Sequence, residues 1–393
     1  TLLHLPHPFQ VPGSRFREMY YWDNLWVVKG LLVSGMHASA THIALNMITM
    51  VERYGFMPNG TRTYYLNRSQ PPLLSEIVRN VYSATRNRPL LRRTLPALLT
   101  EHAFFTSGNK GVRVRDPSTG AVHCLSRYYA NWTKPRPESY REDVETAGEA
   151  GGRDAGEVYR DIASAAESGW DFSSRWFADG MTLQSIRTTR VAPADLNAFL
   201  HQMECNICAI ACELGEWATA ASFERAATAR RAAINALMWD SETSRWEDLI
   251  LEAQDVEGVW TAVRSCRGVY ASSFVPLWCN CAAGNAGQAE AAVGGLERSG
   301  LLKAGGVATS LTASGQQWDG DNGWPCLQSM LAEGLRSYGG VKGRRLADSI
   351  AQRWLRNNFL GWKASGNMME KYDVERCGEA GGGGGDQKQG GFG

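Results

Sequence analysis

The segment ESGWDFSSRWF, residues 167–177, sets an acid, Asp171, between Trp170 and Phe172, with Ser173, Ser174, Arg175 and Trp176 close behind. Aromatic walls strip water from a carboxyl, favour its neutral form and raise its pKa, which gives Asp171 the surroundings of a proton donor. The same residues also suit an N-cap, with the carboxylate accepting backbone N–H groups at the start of a short helical turn. A second acid, Glu370 in MMEKYD, is followed by Lys371, whose cation favours the ionised form that takes a proton from water. A helix-end glutamate in a surface salt bridge would leave the same pattern. One protonated and one ionised carboxyl facing each other across a sugar are what glycosidic cleavage generally uses.

Three arginines, Arg15, Arg68 and Arg136, lie in polar loops beside Phe16, Trp22 and Asp23, beside Ser69 and Gln70, and beside Pro137 and Glu138. Planar guanidinium groups donate several fixed hydrogen bonds to vicinal hydroxyls and can steady a catalytic carboxylate. The balance of 41 Lys and Arg against 40 Asp and Glu, with no basic stripe, makes nucleic acid and anionic membrane poor partners and a neutral ligand the better one. Fourteen Trp, 13 Tyr and 12 Phe, many beside Gly, Asp or Arg, suit stacking on the C–H faces of sugars.

Amphipathic periodicity predicts helices over 25–53, 73–82, 90–105, 194–217, 223–239, 288–299, 326–338 and 341–357, and strand-like alternation is scarce. Pro193, Gly55 and the pair Gly339-Gly340 are suitable punctuation for helix ends. The helices form antiparallel-looking pairs joined by long aromatic-rich connections, and connections of that length usually carry function. That pattern predicts an all-α fold, an (α/α)6 toroid in one domain over 1–393, with the loops gathered at one mouth. By composition, residues 378–393 are a flexible linker or tail.

Cys205, Cys208 and Cys212 fall at i, i+3 and i+7, a spacing that lines one buried helix face rather than a metal clip. No metal or cofactor is called for. Of three glycosylation sequons, those at Asn59 and Asn67 overlap the candidate sugar contacts, which leaves Asn131. No segment reaches the about eighteen apolar residues of a membrane span.

PGSRFREMYYWDN, residues 12–24, resembles the first signature of the trehalases, glycoside hydrolase family 37, and QQWDGDNGWP, residues 316–325, resembles the second. MPNGTRTYYLNRSQPP, SRYYANWTKPRPES, ESGWDFSSRW, MEKYDVE and GGGGGDQKQGGFG resemble further family segments in family order, with wording closest to plant or algal members. The resemblance implies an inverting α,α-trehalase that uses trehalose and water, with Asp171 as general acid and Glu370 as general base. It implies sugar contacts at Arg15, Trp22, Asp23, Asn59, Arg68, Ser69, Gln70, Arg136, Glu138, Gly169 and Asp386, and a lid made of the glycine-rich stretch. Phe16 and Trp318 are the further aromatic candidates inside the two signatures.

This chain departs from the family pattern at Asp321, where Pro is usual, at Cys326, at Asp386, one carbon shorter than the usual Glu, and at Gly390. Family members extend beyond both ends, so a fragment with an incomplete ring and exposed apolar surfaces is expected. A monomer and an extracellular or cell-surface location follow the family pattern. The alternatives are another α-glucosidase on the same architecture and an inactive truncated homologue that only binds sugar.

Overall fold

The structure, a computed structural model, describes residues 1–13 and 16–383; Arg15, Asp386 and Gly390 lie outside the described residues. Twelve α-helices occur among the described residues: α1 Asn24–Val33, α2 His37–Tyr54, α3 Leu74–Thr85, α4 Arg88–Thr106, α5 Tyr140–Gly148, α6 Ala155–Glu167, α7 Ala194–Leu214, α8 Trp217–Ala233, α9 Val275–Trp278, α10 Ala286–Arg298, α11 Pro325–Tyr338 and α12 Gly340–Ser365. α2 shows how sequence sets an element. Ala40, Ile43, Ala44, Met47, Ile48 and Val51 recur on one buried face, and the helix ends where Gly55 turns left-handed at φ 82°. Side-chain caps start other helices: Asn87 accepts from the Leu90 N–H at 3.2 Å and Asn285 from that of Gln288 at 3.0 Å.

The helix predicted over 25–53 is two helices, because the chain reverses through Ser34 and Gly35, the latter at φ 73°. α8 starts at Trp217, ahead of the predicted 223, and ends in a wide turn over Ile234–Met238. α5 and α6 lie where the sequence suggested only loop, and α12 continues past the expected end to Ser365.

The all-α expectation also omits a five-stranded sheet, in the order Val122–Ser126, Gly111–Arg115, Val259–Arg264, Leu249–Gln254, Val191–Ala192. Its strands pair antiparallel except Arg113 and Val114, which run parallel to Val259 and Trp260. GVRVR did carry the strand signal, since Val112 and Val114 are buried while Arg113 and Arg115 face out. The cysteine expectation is corrected too. Cys205 and Cys208 are only half-buried and Cys212 is exposed, so the three do not share a buried face.

α7 packs against α3, α4, α8 and α9, α11 against α9 and α12, and α10 against α12. One contiguous cluster of buried apolar side chains runs from Met19 to Val374. Apolar side chains do stand exposed on α12, where Leu355, Phe359 and Trp362 are about half exposed or more.

One charged knot joins these layers. Arg175 is buried and donates to Asp195 through Nη1 at 2.8 Å and Nη2 at 2.7 Å, and to Asp248 through Nε at 2.6 Å and Nη2 at 2.9 Å. Its guanidinium carbon lies 4.9 Å from the Trp170 ring centre and 4.6 Å from that of Trp176. The start of α7 completes the charge balance, with the Ala194 N–H donating to Asp248 at 2.9 Å and the Leu196 N–H to Asp195 at 2.8 Å. Replacing Arg175 with Met leaves two buried carboxylates without their cation, so urea unfolding should show a loss of about 3–5 kcal/mol.

Candidate active site

The loops ahead of α1, between α2 and α3, ahead of α5, after α6, ahead of α11 and after α12 converge on one cavity of about 790 Å³. The first loop is extended and turns alternate side chains the same way. Phe16, Glu18, Tyr20 and Trp22 line the cavity, while Met19 and Tyr21 are fully buried behind it. Tyr21 pins this loop to the helices: its hydroxyl donates to Glu101 Oε1 at 2.6 Å and accepts from the Leu74 N–H at 2.9 Å. Gln70 fixes it from the other side, its Oε1 accepting the Tyr21 and Trp22 N–H groups at 3.0 and 3.1 Å, which leaves its NH₂ for a ligand.

Asp171 and Glu370 both line this cavity, as do Trp22, Asp23, Asn59, Arg68, Gln70, Arg136, Glu138, Gly169 and Trp318. The N-cap alternative for Asp171 falls away, because Ser173 caps the short turn Ser174–Trp176 through its hydroxyl, which accepts the Arg175 N–H at 3.2 Å. Glu370 lies past the end of α12 rather than on a helix end. Ser69 is not brought to the cavity: it is fully buried and donates its hydroxyl to the Met57 carbonyl at 2.6 Å. Arg15 and Asp386 lie outside the described residues.

Burial pushes the Asp171 carboxyl up to about 6, and the nearby Arg136 and Arg68 cations hold it from rising further. Burial likewise pushes Asp23 up to about 7, opposed by its own backbone N–H and reinforced by the charges of Glu370 and Asp171. Three carboxyls therefore share one field at the cavity floor. Arg68 is held by Glu138 at 2.5 Å and by Asn67 Oδ1 at 3.1 Å, and Arg136 by Asp143 at 2.8 Å.

The walls are aromatic. Trp318 stacks on Trp324 at 4.0 Å and on Trp170 at 5.1 Å, and Trp22 leans on Trp318 at 5.8 Å. The loop carrying Trp318 also holds the acid in place, with Gln317 Nε2 donating to the Asp171 carbonyl at 2.6 Å and the Trp318 N–H to that of Phe172 at 3.1 Å. Asp319 accepts from Ser173 Oγ at 3.0 Å, the Ser174 N–H at 2.6 Å and Ser310 Oγ at 2.9 Å. The Lys371 ammonium sits 5.3 Å from the Trp324 ring centre.

The glycine-rich stretch is tied to this site where it begins. The Gly381 N–H donates to the Lys371 carbonyl at 3.0 Å and the Gly382 N–H to Asn322 Oδ1 at 2.9 Å. The family departures separate: Cys326 lines the cavity, whereas Asp321 pairs with Lys303 at 3.3 Å. Asn59 is buried and Asn131 is exposed. Among the described residues no group of three or more His, Cys, Asp or Glu is arranged to hold a metal ion, and no helix is long and apolar enough to cross a membrane.

Sequence reasoning missed Glu18, Tyr20, Arg62, Tyr64, Tyr65 and Gln317, all of which line the cavity. The signal for Glu18 and Tyr20 was present, since counting by twos back from Trp22 through an extended loop reaches both.

A trehalase family model matches residues 1–393 of this chain. The chain belongs to the trehalase family. It is 46% identical over its whole length to a probable trehalase of Oryza sativa, of which it covers 71%, and 43% identical to a trehalase of Arabidopsis thaliana, of which it covers 63%. A neutral trehalase from Saccharomyces cerevisiae superposes with a TM-score of 0.77 at 26% identity, covering 95% of this chain and 73% of that one. A GH63 mannosylglycerate hydrolase from Thermus thermophilus superposes with a TM-score of 0.61 at 18% identity, over 95% and 92% of the two chains, a likeness of fold alone. The shared architecture is the α/α toroid.

Within this family member, Gly169 sits where the acid loop meets Trp22. It adopts φ 76°, and a Cβ there would come 2.7 Å from Trp22 Cζ2. Gly169→Ala therefore has to displace the indole from the cavity wall, and kcat/KM should fall about 100-fold while the protein stays folded by circular dichroism.

Proposed function

We propose that this chain is an inverting α,α-trehalase, which hydrolyses trehalose to two glucose molecules with Asp171 as general acid and Glu370 as general base. The observation that carries this reading is the convergence of Asp171 and Glu370, about two hundred residues apart in sequence, on one aromatic- and arginine-lined cavity in a chain of the trehalase family.

The two glucosyl units of the substrate pack against Trp22 and the exposed rim of the Trp318 stack and present hydroxyls to Arg68, Arg136 and the Gln70 amide. Arg15, and Asp386 in the glycine-rich lid, complete the proposed contacts. Glu370 removes a proton from a water as its oxygen attacks one anomeric carbon on the face opposite the bond. Asp171 gives its proton to the bridging oxygen, the C–O bond breaks, and configuration inverts at the attacked carbon. This geometry calls for carboxyls about 6.5–9.5 Å apart, room enough for the water between them. No metal or cofactor takes part.

The acid must hold its proton until transfer, so its raised pKa sets the pH dependence. With Asp171 at about 6, kcat/KM should fall about tenfold for each pH unit above that value, while protonation of the base Glu370 sets a separate acid limb; the alkaline limb should be lost from the residual activity of Asp171→Asn. Proton NMR of trehalose with the enzyme, read before mutarotation, should show equal early α- and β-glucose. Asp171→Asn and Glu370→Gln should each lower kcat about 10²–10⁴-fold. Two α-glucose molecules would mean retention and overturn the mechanism.

A further inference from the structure

Arg136 reaches the cavity from the loop ahead of α5, and it is nearly fully buried there. A carboxylate in the first turn of that helix, Asp143, collects three of its donors. The Arg136 backbone N–H lies 2.8 Å from Asp143 Oδ2, Nε 3.0 Å from the same oxygen, and Nη2 2.8 Å from Oδ1. Asp143 is itself 2% exposed, so the clamp is withdrawn from water and screened little. Phe172 covers the flat face of the guanidinium, its ring centre 5.3 Å from the central carbon. Among the described residues Nη1 is the one guanidinium nitrogen with no partner in the chain, and Arg136 lines the cavity.

An arginine near a carboxylate ordinarily closes a two-pronged pair with it, because that geometry combines charge with two aligned hydrogen bonds. Asp171 lies within the electrostatic reach of Arg136, yet no ion pair joins them. Asp143 accounts for the difference, since it has already taken the Nε–Nη2 edge that such a pair would use.

We propose that Asp143 is a positioning residue for the hydrolysis: by clamping one edge of Arg136 it turns the remaining nitrogen toward the sugar and withholds the guanidinium from Asp171. This rests on the reading of Asp171 as general acid. An acid locked in an ion pair would be held ionised and have no proton to give.

The charges around Asp171 are Arg136 and Arg68, with Glu138 opposing them, and Asp23 and Glu370 in the same field. Arg68 is engaged separately by Glu138, so altering Asp143 acts on Asp171 through Arg136. Asp143→Asn removes a negative charge and weakens the hold on Nε and Nη2, which frees the guanidinium to turn. Both changes favour ionised Asp171, so the sign is fixed: its pKa falls.

The test is a carbon-13 titration of the Asp171 carboxyl, assigned by its loss in Asp171→Asn and recorded in a Glu370→Gln background, where trehalose is not consumed. It is run with and without Asp143→Asn and paired with pH profiles of kcat and KM for Asp143→Asn and Asp143→Glu. The Asp171 midpoint should fall by about one pH unit in Asp143→Asn, and the alkaline limb of kcat/KM should move down with it. Above that limb kcat/KM should drop about tenfold, with KM changed less than kcat. Asp143→Glu keeps the charge and should bring the limb back toward its original position. A midpoint that stays or rises in a folded Asp143→Asn protein, judged by its thermal melt, overturns the proposal. Activity retained by Asp171→Asn would instead overturn the general-acid reading, while the titration would still report whether Asp143 governs Arg136.

Discussion

Burying a guanidinium is tolerable only where carboxylates and dipoles replace its water, and Arg175 sits where three such replacements meet. Asp195 begins α7, Asp248 precedes the longest strands of the sheet, and the rings of Trp170 and Trp176 pack against the cation. The backbone between those tryptophans therefore has little freedom, and Asp171 is on it. Eight residues before Arg175, Glu167 does the same work on the other flank, accepting the Ser69 N–H at 3.0 Å and the Tyr129 N–H at 3.2 Å while pairing with Lys110. The acid is thus strung between two buried ion pairs, which fix its segment against the helical body.

Glu370 arrives from far along the chain, and the loop ahead of α11 links its segment to that of Asp171. Gln317 reaches the Asp171 carbonyl, and its own carbonyl accepts Trp324 Nε1 at 3.0 Å and Asn322 Nδ2 at 3.0 Å. Asn322 and Gly323 then pair as a short antiparallel ladder with Asp373 and Tyr372, next to Glu370. Asp319 ties down the serines that follow Asp171. One short segment consequently bears on the placement of both carboxyls, and it also carries the stacked Trp318 and Trp324 of the cavity wall.

Much of this was legible in the sequence, and the gaps have physical causes. A helix end with glycine punctuation, such as that of α2 at Gly55, was read correctly because local chemistry decides it, whereas the break between α1 and α2 was not. α5 was missed because only Asp143 and Thr146 of its nine residues are buried, so there was little periodicity to see. The sheet was missed because its strands are short and its two hairpins are joined by a pairing more than a hundred residues away in sequence, that of Val114 with Trp260. Within the site, residue type and family likeness pointed to Asp171, Glu370, Arg68 and Arg136, all of which line the one cavity. They misjudged Ser69, whose neighbours Arg68 and Gln70 face the cavity while its own side chain turns inward to Met57. Asp143 was invisible for the opposite reason: its partner is Arg136, a residue of the preceding loop, and nothing in its local sequence distinguishes it from a helix-start acid.

The pairing of charges around the cavity follows one rule. Arg62 is committed to Glu18 at 2.8 Å, Arg68 to Glu138, Arg136 to Asp143, and Arg175 to Asp195 and Asp248. Each arginine has a carboxylate of its own, and no ion pair joins any of them to Asp171. A cavity with that many cations could easily hold its acid permanently ionised. Among the described residues, the dedicated partners of Arg68 and Arg136 leave these cations only a through-space pull on Asp171, too weak to outweigh its burial. On the proposed reading, binding a neutral, hydroxyl-rich ligand and keeping a transferable proton are opposing demands on one electrostatic field, and the carboxylates of Glu138 and Asp143, by engaging Arg68 and Arg136, let the same loops meet both.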